Sequence, residues 1–194
     1  YQNLYALPKG ACVGTSSLRR IAQLKNAFPE IQFVELRGNV NTRLKKLDKG
    51  DYDAIILACA GLIRLGLQDR IKQFISPQLC LPAVGQGVVG IECRSDDEDC
   101  KEIIKALNNQ ISALSIAAER SMNAELEGGC QVPIAGYAEI DKGKIRMRGM
   151  VGSVDGSQCL QSDITVKSIT LDSAIELGKN VATDLLKQGA GQIL

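Results

Sequence analysis

The sequence predicts an open α/β sheet over residues 1–81 and a small α+β unit over residues 109–194, joined by a hinge-like stretch. Three observations carry that expectation. Short apolar segments alternate with helical patterns through the first part of the chain, the order that gives a parallel sheet with crossover helices. Residues 54–60 (Ala-Ile-Ile-Leu-Ala-Cys-Ala) form an unbroken apolar run, as in a strand buried on both faces. The last third holds three alternating segments separated by Asp141-Lys142-Gly143 and Asp155-Gly156, then one long helical pattern, which reads as a meander backed by helices.

Each element has its own local signal. Residues 11–15 form a short strand, and Ser16 and Ser17 cap a helix over residues 18–28 that stops before Pro29. Residues 32–37 alternate as a second strand, Gly38-Asn39 turns the chain, and a helix over 40–48 ends at Lys49-Gly50. The apolar run at 54–60 is the third strand, with a short helix over 62–67. Pro82-Ala83-Val84-Gly85-Gln86-Gly87 punctuates the chain. Beyond it, 88–93 reads as a strand, 97–108 as an acidic-started helix, and 112–126 as a longer helix ended by Gly128-Gly129. Strands are expected over 131–140, 144–151 and 158–167, and a closing helix over 171–187.

Composition excludes several function classes. With Lys+Arg 23 against Asp+Glu 22, the net charge is +1, too little for a nucleic-acid surface, and aromatics for base stacking are only 4%. No apolar run approaches the roughly 18 residues of a membrane span, so no membrane partner is expected. The absence of His, and of any C-x-x-C pair among the 7 cysteines, argues against a zinc site. Cys12, Cys59 and Cys93 lie in apolar runs and are expected as small buried hydrophobes. Free thiols in this number suit a reducing cytoplasm. Tyr1-Gln2-Asn3-Leu4 has neither an initiator Met nor a signal pattern and reads like the interior of a longer protein.

Two features point to chemistry. Cys130 lies in Glu127-Gly128-Gly129-Cys130-Gln131-Val132-Pro133, where two glycines and a nearby proline favour a loop tip, leaving the thiol available as a covalent handle. The second is a set of arginines placed just after strands. Arg19 and Arg20 fall in the first turn of the first helix, Arg37 ends the second strand, Arg43 lies near the start of the next helix, and Arg64 is expected at the start of the third. In a parallel sheet these positions gather beyond the carboxyl ends of the strands. Cations there oppose the helix macrodipole by about 0.3–1 kcal/mol each, which makes sense if an anion joins them with the free N–H groups and the Ser16 and Ser17 hydroxyls. Arginine favours bidentate recognition of carboxylate or phosphate. Gln86 fits a hinge, and the acidic run Asp96-Asp97-Glu98-Asp99 fits a solvated helix start.

Gly14-Thr15-Ser16-Ser17-Leu18-Arg19-Arg20, Leu36-Arg37-Gly38-Asn39-Val40 with Thr42-Arg43, Leu81-Pro82-Ala83-Val84-Gly85-Gln86-Gly87 and Glu127-Gly128-Gly129-Cys130-Gln131-Val132-Pro133 resemble porphobilinogen deaminase (hydroxymethylbilane synthase) over essentially the whole chain and in order. The resemblance implies a cytoplasmic transferase of porphyrin (haem) biosynthesis. It joins porphobilinogen units head to tail, with loss of ammonia, into the linear tetrapyrrole hydroxymethylbilane. A dipyrromethane cofactor would be held by a thioether to Cys130. Ser17, Arg19, Arg20, Arg37 and Arg43 would bind the cofactor's acetate and propionate groups, and Arg37, Arg43 and Arg64 those of the substrate and growing chain.

The same resemblance divides the chain into 1–81, a periplasmic-binding-protein-like domain two; 82–108, a hinge and return segment belonging to domain one; and 109–194, the C-terminal domain with the cofactor cysteine. The family's catalytic aspartate has no counterpart here, so the catalytic residue is unassigned. The chain alone is expected to be inactive and to self-associate, where the full-length protein would be a monomer. A small-anion-binding effector module is the alternative reading. It accounts for the arginines but not for Gly-Gly-Cys130.

Overall fold

The computed structural model describes residues 1–128 and 132–194. These form two compact units: one of Tyr1–Leu81 and Gly152–Cys159 with residues 132–133, the other of residues 82–128, Ile134–Val151 and Leu160–Leu194. The architecture is mixed α/β, with one parallel and one antiparallel three-stranded sheet.

In the first unit β1 (Cys12–Gly14), α1 (Leu18–Ala27), β2 (Gln32–Val34), α2 (Val40–Asp48), β3 (Ala54–Ile55) and α3 (Cys59–Arg64) follow one another. The sheet order is β2-β1-β3, all parallel, with Val13 paired to Phe33 on one side and Ala54 on the other. Val13, Leu24, Phe28, Leu4 and Ile56 make the core, so α1 packs on the sheet through the apolar face its spacing provides. Helix α1 starts where the Ser17 side chain caps it and ends with Phe28 as its C-cap. Helix α2 has the bounds its caps predict, because Asn39 accepts from the Thr42 amide.

The third apolar run departs from expectation. Only Ala54–Ile55 is strand, and Cys59 opens α3 three residues before the expected helix start. β1 stops at Gly14, so residues beyond Ile55 have no neighbouring strand to pair with and the chain leaves the sheet. Residues 57–60 are accordingly half-buried or exposed instead of sealed on both faces. The second strand is shortened likewise: the Thr15 amide donates to the Val34 carbonyl (2.9 Å), and residues 35–37 are loop. Cys12, Cys59 and Cys93 are half-buried, not core residues, because each lies where its strand is short or absent.

In the second unit α4 (Glu98–Lys105), α5 (Gln110–Glu125), β4 (Ile134–Asp141), β5 (Lys144–Gly152), β6 (Cys159–Val166) and α6 (Leu171–Lys187) form a sheet of order β4-β5-β6 with its helices. The β4–β5 hairpin turns through Lys142 and Gly143, both at positive φ, as a tight hairpin turn needs. Met122 of α5, Met147 and Met150 of β5, and Val181 and Leu185 of α6 are fully buried. The expected strand over 88–93 does not form. No strand among the described residues offers it a partner, and Val88, Val89 and Ile91 are exposed by 46%, 62% and 52%. An extended apolar segment without a ladder has no hydrogen bonds to hold it as a strand.

Candidate functional site

The site begins where β1 runs out. Thr15 is buried and its hydroxyl accepts from the Ser17 amide (3.2 Å). The Ser16 hydroxyl donates to the Leu36 carbonyl (2.8 Å) and accepts from the Leu36 amide (3.1 Å). Ser16 therefore ties the segment after β1 to the segment after β2, instead of capping α1. Ser17 is the cap, its side chain accepting from the Arg20 amide. These bonds fix the N-terminus of α1 at the carboxyl edge of the sheet, where free amides and the positive end of the helix favour an anion.

The arginines occupy this edge in different ways. Arg20 is partly buried and donates from Nη1 to the Ile56 carbonyl (2.7 Å), just past β3. Its pKa is lowered, chiefly by burial and then by the positive charges of Arg19 and Arg43. Arg20 therefore lies within electrostatic reach of both Arg19 and Arg43. Arg43 donates from Nε to the Gly38 carbonyl (2.7 Å), and Lys46 reaches the Arg37 carbonyl (3.4 Å), so the 37–38 turn is held by two cations from α2. Arg37 projects outward, 81% exposed, in an ion pair with Glu35 (2.7 Å).

Arg19 lies in the first turn of α1 as expected but is buried, and Arg64 is not where the sequence pattern suggests. Arg19 is only 9% exposed, and its Nη1 donates to the Leu81 carbonyl beside the Cys80 thiol. Burial lowers its pKa, and Cys80 partly offsets this. Arg64 is the last residue of α3, not the first-turn residue expected, because the helix starts at Cys59. At a C-terminus its charge suits the macrodipole. It is exposed and is not hydrogen-bonded to the other arginines.

Sequence reading missed Gln23 and Cys80. From α1, Gln23 Oε1 accepts from the Leu81 amide (2.7 Å) and Nε2 donates to the Leu81 carbonyl (3.1 Å), which pins the end of the first unit to the helix carrying Arg19 and Arg20. The Cys80 thiol is pushed up by burial and pulled back by Arg19 and Arg20. The only advance signal is the Arg19–Gln23 spacing of four, which puts both on one helix face. Cys130, with Gly129 and Gln131, lies outside the described residues. Among the described residues there is no group of three or more His, Cys, Asp or Glu able to hold a metal, and no helix is long and apolar enough to cross a membrane.

Among the described residues Arg19, Arg20, Arg43 and Arg64 have no carboxylate partner. Arg20, with Arg19 and Arg43 near it and no carboxylate partner for any of the three among the described residues, makes the capped N-terminus of α1 a positive edge of the kind that suits anions. Residues 1–102 match the family profile described as "Porphobilinogen deaminase, dipyromethane cofactor binding domain". Residues 113–187 match "Porphobilinogen deaminase, C-terminal domain". The chain belongs to the porphobilinogen deaminase family. Its function is that of a hydroxymethylbilane synthase, a transferase of porphyrin biosynthesis that joins porphobilinogen into a linear pyrrole chain using a dipyrromethane cofactor.

Proposed function

We propose that the edge formed by Ser17, Arg19, Arg20, Arg37 and Arg43 holds the carboxylates of the dipyrromethane cofactor, which is attached through a thioether to Cys130, and that Arg37, Arg43 and Arg64 receive those of incoming porphobilinogen and the growing chain. The observation that carries this reading is the unneutralised group Arg19, Arg20 and Arg43. Like charges gathered at a helix N-terminus cost stability unless a ligand supplies the anions. Charge-assisted bonds shielded from water then contribute about 1.5–3 kcal/mol each.

The residues divide the work according to their surroundings. Arg20, braced by the Ile56 carbonyl, keeps further N–H donors for a carboxylate. Arg43 is oriented by the Gly38 carbonyl. Arg37 exchanges its exposed Glu35 partner for a ligand carboxylate at little cost, since such surface pairs are worth about 0–1 kcal/mol. Arg19, committed to Leu81, acts mainly by positioning the helix and adding positive potential. When bound, the cofactor supplies the pyrrole carbon to which substrate units are joined; the chain's residues orient the carboxylates and hold off bulk water.

In the same reading residues 1–81 form a periplasmic-binding-protein-like domain, 82–108 a hinge and return segment that completes a neighbouring domain, and 109–194 the C-terminal domain. The working protein is a cytoplasmic monomer. The test is intact mass after denaturation of protein made in cells that synthesise porphobilinogen. The expected result is one dipyrromethane adduct that Cys130→Ser abolishes. An adduct on Cys59 or Cys159 would overturn the assignment.

A further inference from the structure

In the second unit a buried carboxylate joins three segments of the chain. Glu119 of α5 is buried, and both its oxygens are taken: Oε2 accepts from the Gly85 amide (2.8 Å) and Oε1 from the Ala138 amide of β4 (2.9 Å). β4 is an edge of its sheet. In an antiparallel ladder alternate residues turn their amides outward, and on β4 Gly136 and Ala138 do so. The Gly136 amide donates to the Pro82 carbonyl (3.2 Å). Gly136 also makes room for Val84, whose Cγ2 lies 3.1 Å from where a Cβ would stand. The segment holds its own shape. The Gln86 amide donates to the Ala83 carbonyl (3.0 Å) and the Val88 amide to the Gly85 carbonyl (3.1 Å), and Gly85 turns at φ +74°, a conformation open to glycine. Residues 82–85 thus lie along the edge of β4 as a strap, fastened by one backbone bond and one carboxylate.

We propose that Glu119 and the strap over residues 82–85 seal the open edge of β4, and that without the carboxylate this edge pairs with β4 of a second copy of the chain. Residues 134–138 are Ile-Ala-Gly-Tyr-Ala, with no charge of the kind that keeps exposed edges apart. The other edge, β6, carries Asp163 in its middle, ion-paired to Arg146 (2.5 Å). Protection of β4 has to come from outside the strand, and an inward-pointing charge with a covering segment supplies it. The strand's own pattern selects the second copy as the occupant. Antiparallel pairing about Gly136 is self-complementary. It sets Ile134 opposite Ala138 and brings no like charges together.

A carboxylate suits this position for two reasons. It carries two acceptor oxygens, so a single side chain from α5 satisfies an amide of the strap and an amide of the strand together. An incoming strand would have to displace it, leaving a buried carboxylate without either bond, and an unpaired buried charge is costly. The seal is therefore an energetic barrier as well as a steric cover. Glutamine in the same place offers one carbonyl acceptor, and its NH2 group would face an amide donor; alanine offers no acceptor at all. The two substitutions grade the loss.

Hydrogen exchange of the full chain, followed amide by amide by NMR, tests the seal. In the wild type Gly85, Gly136 and Ala138 should exchange slowly. Glu119→Ala in dilute solution should speed exchange at Gly85 and Ala138 by about tenfold, the loss expected of one hydrogen bond at each. Tyr137 and Arg148, which face each other across the β4–β5 ladder, should stay slow. Raising the concentration should restore protection at Gly136 and Ala138 as copies pair, and sedimentation should show a dimer. In Glu119→Gln one of the two amides should open and the other stay slow. Fast exchange at Gly85 and Ala138 in the wild type, or unchanged exchange at both in Glu119→Gln, would overturn the seal, whether or not Glu119→Ala folds. A Glu119→Ala chain whose β4 edge stays open at high concentration, or that gains protection only at residues 88–91, would refute the pairing.

Discussion

Gly178→Ala tests the packing of the C-terminal unit most sharply. In a helix interior this change ordinarily stabilises by about 1 kcal/mol, since alanine has the better helix propensity. Here α6 passes so close to α5 that a Cβ on Gly178 would lie 2.2 Å from the Ala118 carbonyl oxygen and 2.9 Å from the Met122 amide nitrogen. Both are backbone atoms of a helix and cannot rotate aside, so relief requires moving the helices apart by about 1 Å. That opens the contact among Ala118, Met122, Leu177 and Val181, all buried to within 1%. Overpacking of a well-filled core costs about 1–3 kcal/mol and occasionally more. Taking the upper part of that range for a backbone clash and subtracting the propensity gain leaves a net loss of about 2 kcal/mol. With a urea m-value of about 1–2 kcal/mol/M, the midpoint of the C-terminal unit's transition should fall by about 1–2 M, followed by circular dichroism. Gly61→Ala is the internal control, because Gly61 lies in α3 with nothing within 4 Å of its Cβ position; it should raise the midpoint of its own unit. A folded Gly178→Ala chain with an unchanged or higher midpoint would refute the close crossing of α5 and α6.

Further predictions follow from the ionisable groups. Arg19→Leu should destabilise the first unit by about 1–2 kcal/mol, because a buried charge-assisted bond is lost while Gln23 still satisfies the Leu81 carbonyl. Arg20→Leu should weaken pyrrole-carboxylate binding more than Arg19→Leu does, and equal losses of stability and binding for the two would contradict the assigned roles. Glu119 is buried and accepts from the Gly85 amide (2.8 Å) and the Ala138 amide (2.9 Å), and burial raises its pKa despite those bonds. The fold therefore keeps a proton that the unfolded chain has lost, so stability should fall as pH rises from the ordinary carboxyl value through the raised one. Glu119→Gln should flatten that slope in urea midpoints measured from pH 4 to 7. Asp155 is held down to about 2 by the Ser153 hydroxyl and then by Ser157. Its contribution should be present above the ordinary carboxyl range and fade as pH falls towards 2, and Ser153→Ala should move its titration upward by NMR.

Local chemistry in the sequence was enough for the elements whose ends it controls. Asn39 and the Lys49-Gly50 stop fixed α2, Thr170 with Ser173 fixed the start of α6 through a reciprocal capping box, and Lys142-Gly143 placed the β4–β5 turn. The motifs placed the chain in its family, and the position of arginines after strands marked the edge proposed here to bind a polyanion. These features are legible because caps, turns and strand–helix order depend on residues a few positions apart.

The tertiary structure decided whatever depended on a neighbour distant in sequence. Residues 57–60 look like a strand but are not, because β1 ends at Gly14 and has no further backbone to pair. Residues 88–93 have strand composition but no partner among the described residues, so they stay irregular. Arg19 and Arg20 are adjacent and alike in sequence, yet one is buried against Leu81 and the other braced on Ile56, since successive residues on a helix point about 100° apart. Composition named the cations, but only the packing of α1 on the sheet determined which of them lies buried against a carbonyl and which keeps donors free for a ligand.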